Sequence, residues 1–160
     1  MDDRDVAHLR RCIALAAEAR AAGDQPFGAL LVDGHGCVVA EERNRVVSDR
    51  DVTAHPELAL ARWASAHLDP VARGAATVYT SCEHCAMCAT ATYWAGVGRI
   101  VFALSGAQLR DMLPDSVIKL DLDTRDVFAR GNRELVVVEG PCAELDAEAR
   151  AVFVGVVFEP

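Results

Sequence analysis

The sequence contains no long apolar run. Although 52% of its residues are hydrophobic, no stretch reaches the roughly 18–20 consecutive apolar residues that a membrane-spanning helix needs. The first residues, MDDRDVAHLRR, are charged, and no basic start leads into an apolar segment of the kind found in secretory signals. We therefore predict a cytoplasmic protein with no membrane partner.

Basic residues are also scarce. The chain has 16 Lys and Arg against 24 Asp and Glu, a net charge of −8, and Lys119 is its single lysine. A surface of this charge repels phosphate backbones, and no cluster of arginines stands out to oppose that repulsion. The sequence alone does not exclude a local basic groove built from scattered arginines. Nucleic acid is therefore disfavoured as a partner without being excluded.

Repeats, low-complexity tracts and linkers are absent, which predicts a single domain over residues 1–160. The apolar patterns alternate between the two kinds of secondary structure. Helices are predicted at 3–22, 55–68, 85–95, 106–113 and from about 143. Strands are predicted at 26–33, 36–42, 76–80, 99–104 and 134–140. This order predicts an α/β fold with one mixed sheet and helices on both faces.

Three of the six cysteines are clustered, in the segment SCEHCAMC at 81–88. Such clusters in a chain without a signal segment are more often metal ligands than disulfides. Cys85 and Cys88 are three residues apart at a predicted helix start, where backbone N–H groups favour thiolates. His55 and Glu57 also stand at a predicted helix start, and Pro56 between them suits that position.

One histidine and two thiolates make three protein ligands, one fewer than a closed tetrahedral zinc site uses. Three ligands are typical of a catalytic zinc site, which keeps its fourth position for water. Glu57, a carboxylate that is not a ligand, would then move protons. By itself, Cys-x-x-Cys also fits buried thiols, a redox pair or half of a structural zinc site. Cys82 complicates the ligand set, because 82, 85 and 88 share a spacing of three.

These residues resemble a known family. His55-Pro56-Glu57 with Cys85-x-x-Cys88 is similar to the H-x-E…P-C-x-x-C signature of the zinc-dependent cytidine-deaminase-like superfamily. TSCEHCAMCATATYWAGVGRIVFAL and PFGALLV resemble the bacterial guanine deaminases and related nucleobase deaminases. The resemblance covers about residues 5–120. It implies a three-layer α/β/α sandwich around a central five-stranded mixed sheet, one Zn²⁺, and hydrolytic release of ammonia from an amino-substituted ring.

Two positions depart from that family's pattern. Pro56 replaces the usual small residue between His and Glu, which a helix start tolerates. His84 replaces the proline that normally precedes the first zinc cysteine. His84 is either a hydrogen-bond donor behind the metal ligands or a solvent-facing substitution without a role. We favour the solvent-facing interpretation, since proline at a helix start is a preference and not a requirement.

Three further residues are candidates for substrate binding. The resemblance implies that Asn44 hydrogen-bonds the edge of the base and that Asp115 lies near the guanine-recognition region. Their alternative roles are a turn former in ERNRVV and a loop cap after Pro114. Phe27 is expected to stack on the substrate ring, although an aromatic residue in a strand is more often part of the core.

The C-terminal segment, residues 141–160, ends in an unusually apolar sequence, VFVGVVFEP. Exposing these side chains would be costly, so the segment must dock either on its own domain or on a partner. By analogy with relatives that exchange their C-terminal segments, we predict a homodimer in which this segment crosses the interface and places Phe158 near a zinc site.

The predicted function is that of a zinc-dependent hydrolytic deaminase acting on a nucleobase or related ring, with a guanine-like purine favoured. Its predicted partner is therefore a small molecule. Deamination of cytosine, of s-triazines or of nucleosides remains open. A tRNA adenosine deaminase is expected to have a more basic surface than this chain. A structural zinc module would need a fourth ligand, and Glu57 would be dispensable in it.

Overall fold

Five strands form one open mixed sheet in the computed structural model, which describes residues 1–133 and 137–157. They are β1 (Gly28–Val32), β2 (Val38–Arg43), β3 (Thr77–Cys82), β4 (Arg99–Leu104) and β5 (Val137–Glu139). Their spatial order is β2-β1-β3-β4-β5. β1 is antiparallel to β2 and β3, whereas β3, β4 and β5 are parallel. The predicted mixed sheet is confirmed, and residues 134–136 of the predicted fifth strand lie outside the described residues.

Helices connect and cover the strands. They are α1 (Asp3–Ala21), α2 (Val46–Asp49), α3 (Pro56–His67), α4 (Pro70–Ala75), α5 (Ala86–Ala95), α6 (Gly106–Met112), α7 (Thr124–Phe128) and α8 (Asp146–Ala151), with a 3₁₀ turn at Ala143–Leu145. α2, α4 and α7 were not predicted, because helices of four to six residues are too short to show a helical period. None of the helices among the described residues has the length and apolar character needed to cross a membrane.

The two faces of the sheet carry separate hydrophobic cores. Leu30 and Val32 of β1 pack with residues of α1 and α8 on one face. Ala29 and Leu31 pack with α3 and α5 on the other face. Successive strand residues point to opposite faces, so one fully buried strand contributes to both cores. This arrangement is the predicted three-layer α/β/α sandwich.

The parallel pair β3 and β4 determines where a site can form. β3 ends at Cys82 and leads to α5, and β4 ends at Leu104 and leads to α6. In α/β sheets, ligands bind beyond the carboxyl ends of the parallel strands. The cysteine motif lies at that edge.

A charged network at the opposite edge ties α1 to the sheet. Arg99 donates two hydrogen bonds to the Asp5 carboxylate, at 2.8 and 2.9 Å, and the Tyr79 hydroxyl donates a third at 2.7 Å. Arg99 also pairs with Glu139 of β5. The hydrogen bonds from Arg99, helped by Tyr79, hold the pKa of Asp5 well below its usual range even though burial acts in the opposite direction.

Replacing Asp5 with asparagine is therefore expected to lower the free energy of unfolding by about 2–3 kcal/mol at neutral pH. Because the pKa of Asp5 is lowered by folding, its contribution is complete above about pH 4 and is lost as the pH falls further. Urea unfolding between pH 7 and pH 3 should thus show a shallower pH dependence for Asp5→Asn. Asp3→Asn, on an exposed position of the same helix turn, is the control. Equal stability of both variants at pH 7 would contradict the assignment.

Candidate active site

Two helix starts bring the predicted metal ligands together. His55 is the N-cap of α3 and Cys85 is the N-cap of α5, each with an extended backbone. Pro56 occupies the first turn of α3, where its missing N–H costs no hydrogen bond. Cys88 lies in the first turn of α5 and is buried. α3 and α5 pack side by side on one face of the sheet, so sequence segments thirty residues apart meet at one point.

The distances between these side chains fit a zinc ion. His55 Nδ1 lies 3.8 Å from Cys85 Sγ and 3.6 Å from Cys88 Sγ, and all three ligand atoms lie within 4.8 Å of one another. Tetrahedral coordination, with Zn–S of about 2.3 Å and Zn–N of about 2.0 Å, requires N···S separations of about 3.5 Å. Among the described residues, no other group of His, Cys, Asp and Glu has this geometry. The protein uses Zn²⁺, and three protein ligands leave one coordination position free.

Electrostatics distinguishes the cysteines of this segment. The Cys88 thiol, hydrogen-bonded to Cys85, together with His55 lowers the pKa of Cys85 to about 4, although burial opposes the shift. The same interaction, with burial, raises the pKa of Cys88. Burial also raises the pKa of Cys82, which lies inside the core at the end of β3. Burial therefore favours the neutral thiol at Cys82, whereas the contacts with Cys88 and His55 favour the thiolate at Cys85.

Glu57 lies beside the metal ligands without being one of them. It is only 4% exposed, and burial raises the pKa of its carboxyl group. Thr80 of β3 lies with its Oγ1 2.8 Å from Glu57 Oε1 and donates to it. A buried glutamate whose pKa is shifted toward neutrality is suited to proton transfer. Thr80 was not predicted from the sequence, because a threonine within a buried strand carries no distinguishing pattern.

A cavity of about 340 Å³ opens over these residues. Its polar lining includes His55, Glu57 and Cys85, together with Glu83, His84, Arg110, Lys119 and Asp123. Its apolar lining includes Phe27, Leu109, Leu113, Ile118, Leu120 and Leu122. This volume and lining are typical of a site for a small organic ligand.

Glu83 holds together the segments that surround the cavity. Its Oε2 accepts a hydrogen bond from the Gly106 N–H at 2.9 Å, and its Oε1 accepts one from the Thr124 N–H at 3.2 Å. Both carboxylate oxygens are thus engaged by the starts of α6 and α7. The role of Glu83 was missed in the sequence, since its partners lie 23 and 41 residues away.

The solvent-facing interpretation of His84 is wrong. His84 is 2% exposed and lines the cavity, and burial lowers the pKa of its imidazole to about 4. Position 84 lies between the end of β3 and the start of α5, where its side chain is buried. In the sequence, a histidine in place of the usual proline gives no indication that its side chain is buried.

The three predicted substrate-binding residues that the structure describes lie in three different environments. Phe27 lines the cavity. Asn44 is fully buried, with its N–H donating to the Phe27 carbonyl oxygen and its Oδ1 accepting from Val46 N–H. Asp115 is exposed, lies near Lys119 at 3.6 Å, and is not among the residues that line the cavity. Phe158 lies outside the described residues, so its position near the zinc site stays a prediction, as do the binding roles of the other three.

Residues 152–154 make contacts with their own chain. Arg20 donates to the carbonyl oxygens of Val152 and Val154, at 3.0 and 2.6 Å. Phe153 is buried and packs edge-on against Phe27, with ring centroids 5.5 Å apart. The segment therefore reaches the wall of the cavity through Phe27. Exchange of the segment between two protomers stays a prediction.

Comparison with known proteins places the chain among deaminases. Residues 2–104 match the model of the cytidine and deoxycytidylate deaminase zinc-binding region. A probable cytosine deaminase from Schizosaccharomyces pombe is 34% identical over 149 residues, covering 92% of this chain and 90% of the relative. The guanine deaminase of Bacillus subtilis is 36% identical over 117 residues, covering 72% of this chain and 74% of the relative. tRNA-specific adenosine deaminases match over shorter stretches of 95 to 97 residues.

Solved structures agree with this grouping. A mutant of NE0047 in complex with 8-azaguanine has a TM-score of 0.75 to this chain at 27% identity, covering 94% of this chain and 82% of that one. This similarity confirms the predicted fold.

Proposed function

Because the chain belongs to the zinc-binding cytidine and deoxycytidylate deaminase family, we propose that it releases ammonia hydrolytically from a free guanine-like purine base. It is a zinc-dependent aminohydrolase that cleaves C–N bonds of cyclic amidines, and its relatives support nucleobases as the substrate class. The observation that carries the proposal is the buried Glu57 beside a three-ligand metal site, at the end of a cavity sized for one small ring.

In the proposed mechanism, His55, Cys85 and Cys88 hold Zn²⁺. When bound, this ion supplies Lewis-acid activation of a water molecule, whose pKa falls toward neutrality. Glu57 would accept a proton from the attacking water and pass it to a ring nitrogen as the water oxygen bonds the amino-bearing carbon. Glu57 would then take the proton of the added hydroxyl group and deliver it to the departing amine, so that the C–N bond breaks, a ring carbonyl forms and ammonia leaves. Thr80 holds the carboxylate in position.

Asn44 and Phe27 are proposed to bind the base. Asn44 is not among the residues that line the cavity, but its Nδ2 is a buried donor without a hydrogen-bond partner among the described residues, which supports a role in binding a substrate acceptor. Phe27 offers an aromatic surface in the cavity wall. Asp115 would need the segment after α6 to move before it could reach the ring, and its role is proposed on the family resemblance alone.

A panel of substrates tests this proposal through the rate of ammonia release. We expect the highest kcat/KM for guanine, with lower values for cytosine, adenine and an s-triazine, and the lowest for nucleosides, whose sugar enlarges the ligand. An RNA hairpin resembling a tRNA anticodon arm should be inert, because the protein carries a net charge of −8. Deamination of the hairpin with none of the free bases would replace the proposal by a nucleic-acid deaminase. Zinc binding without any deamination would favour a structural zinc module.

The remaining proposals concern assembly and location. We propose a homodimer in which the C-terminal segment contributes to the neighbouring site, and a cytoplasmic location. The contact of Phe153 with Phe27 supports a role of that segment at the cavity, since it places the segment against the cavity wall.

A further inference from the structure

His84 is a buried polar side chain that the proposed mechanism leaves without a role. Its carbonyl oxygen lies 3.5 Å from the Thr124 hydroxyl, which fixes the backbone. Neither ring nitrogen has a hydrogen-bond partner within the described part of the chain. Leaving a buried polar group unpaired is unfavourable, and native structures rarely contain such a group without a reason.

The other polar side chains of the cavity are engaged. Glu83 binds two backbone N–H groups. Arg110 pairs with Asp123 at 2.9 Å and with Asp121 at 2.7 Å. Lys119 donates to the Leu113 carbonyl oxygen at 2.9 Å. His55 and Cys85 are assigned to metal binding, and Glu57 is assigned to proton transfer. Among the described residues that line the cavity, His84 is thus the one polar side chain with neither a partner nor a proposed role in the reaction.

The position of His84 makes it suited to contact the reacting ring. It directly precedes the metal ligand Cys85 and lines the same cavity as His55, Glu57 and Cys85. A half-turn about χ2 exchanges each ring nitrogen with a ring carbon and leaves the outline of the imidazole unchanged. A neutral imidazole then offers one hydrogen-bond donor and one acceptor.

Guanine and cytosine share the chemical feature that such a donor would recognise. In both rings the amino-bearing carbon is followed by a ring nitrogen and then by a carbon that carries an oxo group. Adenine, 2-aminopurine and 4-aminopyrimidine have the amino-bearing carbon but lack that oxo group. A hydrogen bond to the oxo oxygen would therefore select the first class of rings over the second.

We propose that His84 determines substrate specificity by donating a hydrogen bond from a ring N–H to the oxo group of an oxo- and amino-substituted base. The proposal rests on the proposed deaminase function and names the substrate class of the same site. In the family that this chain resembles, the usual residue at this position is proline, which has no side-chain donor. The contact would therefore be a property of this chain.

The test compares matched rings and matched variants. kcat/KM is measured for guanine against 2-aminopurine and for cytosine against 4-aminopyrimidine. His84→Phe keeps a flat ring and removes both nitrogens, whereas His84→Gln restores a donor. We expect His84→Phe to reduce the preference for the oxo ring by about 10- to 100-fold relative to the wild type, and His84→Gln to recover part of it. Comparing ratios removes the difference in intrinsic reactivity between the rings.

Zinc content and thermal unfolding of each variant show whether the site is intact. Calorimetry then measures equilibrium binding of the same rings to Glu57→Gln and to the double variant Glu57→Gln/His84→Phe. The double variant must show the same loss of preference for the oxo ring as the kinetic measurements. An unchanged preference in a zinc-loaded His84→Phe variant overturns the inference and leaves the proposed function standing. An equal loss for both rings of each pair also overturns it, because that result indicates a structural role. Failure of the wild type to deaminate or bind any of the four rings overturns both.

Discussion

Glu57→Gln is expected to lower kcat/KM by about 10²- to 10⁴-fold or more while zinc content stays at the wild-type level. Glutamine keeps the size of the side chain and still accepts the hydrogen bond from Thr80, but it cannot take a proton from water. Steady-state ammonia release and metal analysis by mass spectrometry measure the two quantities on the same preparation.

A graded control is available in the partner of Glu57. Thr80→Val removes the 2.8 Å hydrogen bond and keeps the carboxylate, so the expected loss is about 2- to 10-fold. Glu18→Gln, on an exposed position of α1, should leave the rate unchanged. Turnover of Glu57→Gln at the wild-type rate would remove this residue from the mechanism.

Cys85→Ser and Cys88→Ser are expected to lose the zinc ion, and with it the activity. Each removes one of three protein ligands, and a serine hydroxyl is a poor substitute for a thiolate. The wild type should hold about one zinc ion per chain, and both variants a small fraction of that. Metal analysis after dialysis against a weak chelator gives the stoichiometry directly.

Cys82 provides the matched control, since it has the same spacing in the sequence but stays a buried thiol. Cys82→Ala should keep its zinc and lose only stability, because a small cavity remains in the core. The ligand assignment would have to be abandoned if Cys82→Ala lost the metal and Cys85→Ser retained it.

The metal site is the part of this protein that local sequence determined most fully. The ligands stand at helix starts, and a helix start is recognisable from proline, from spacing and from the apolar pattern that follows. His55, Glu57, Cys85 and Cys88 could therefore be named together, and the structure brings the three ligands within 4.8 Å. The meeting of α3 and α5 follows from the sheet, whose strands were visible as apolar runs.

Tertiary structure decided everything that depends on which distant segments meet. Thr80 reaches Glu57 only because β3 lies under α3, and Glu83 engages Gly106 and Thr124 only because β3 and β4 are parallel neighbours. The burial of His84 follows from the same arrangement. No period or spacing encodes these contacts, since each joins residues more than 20 positions apart.

By itself, then, the sequence determined the fold class and indicated the candidate metal ligands and Glu57, because these depend on helix starts and on apolar strand runs, which are visible in short stretches of sequence. Only the tertiary structure decided the cavity, its apolar wall and the unpaired imidazole within it. Those properties arise where segments far apart in the chain exclude water together, and exclusion of water is a property of the packed molecule and not of any local stretch.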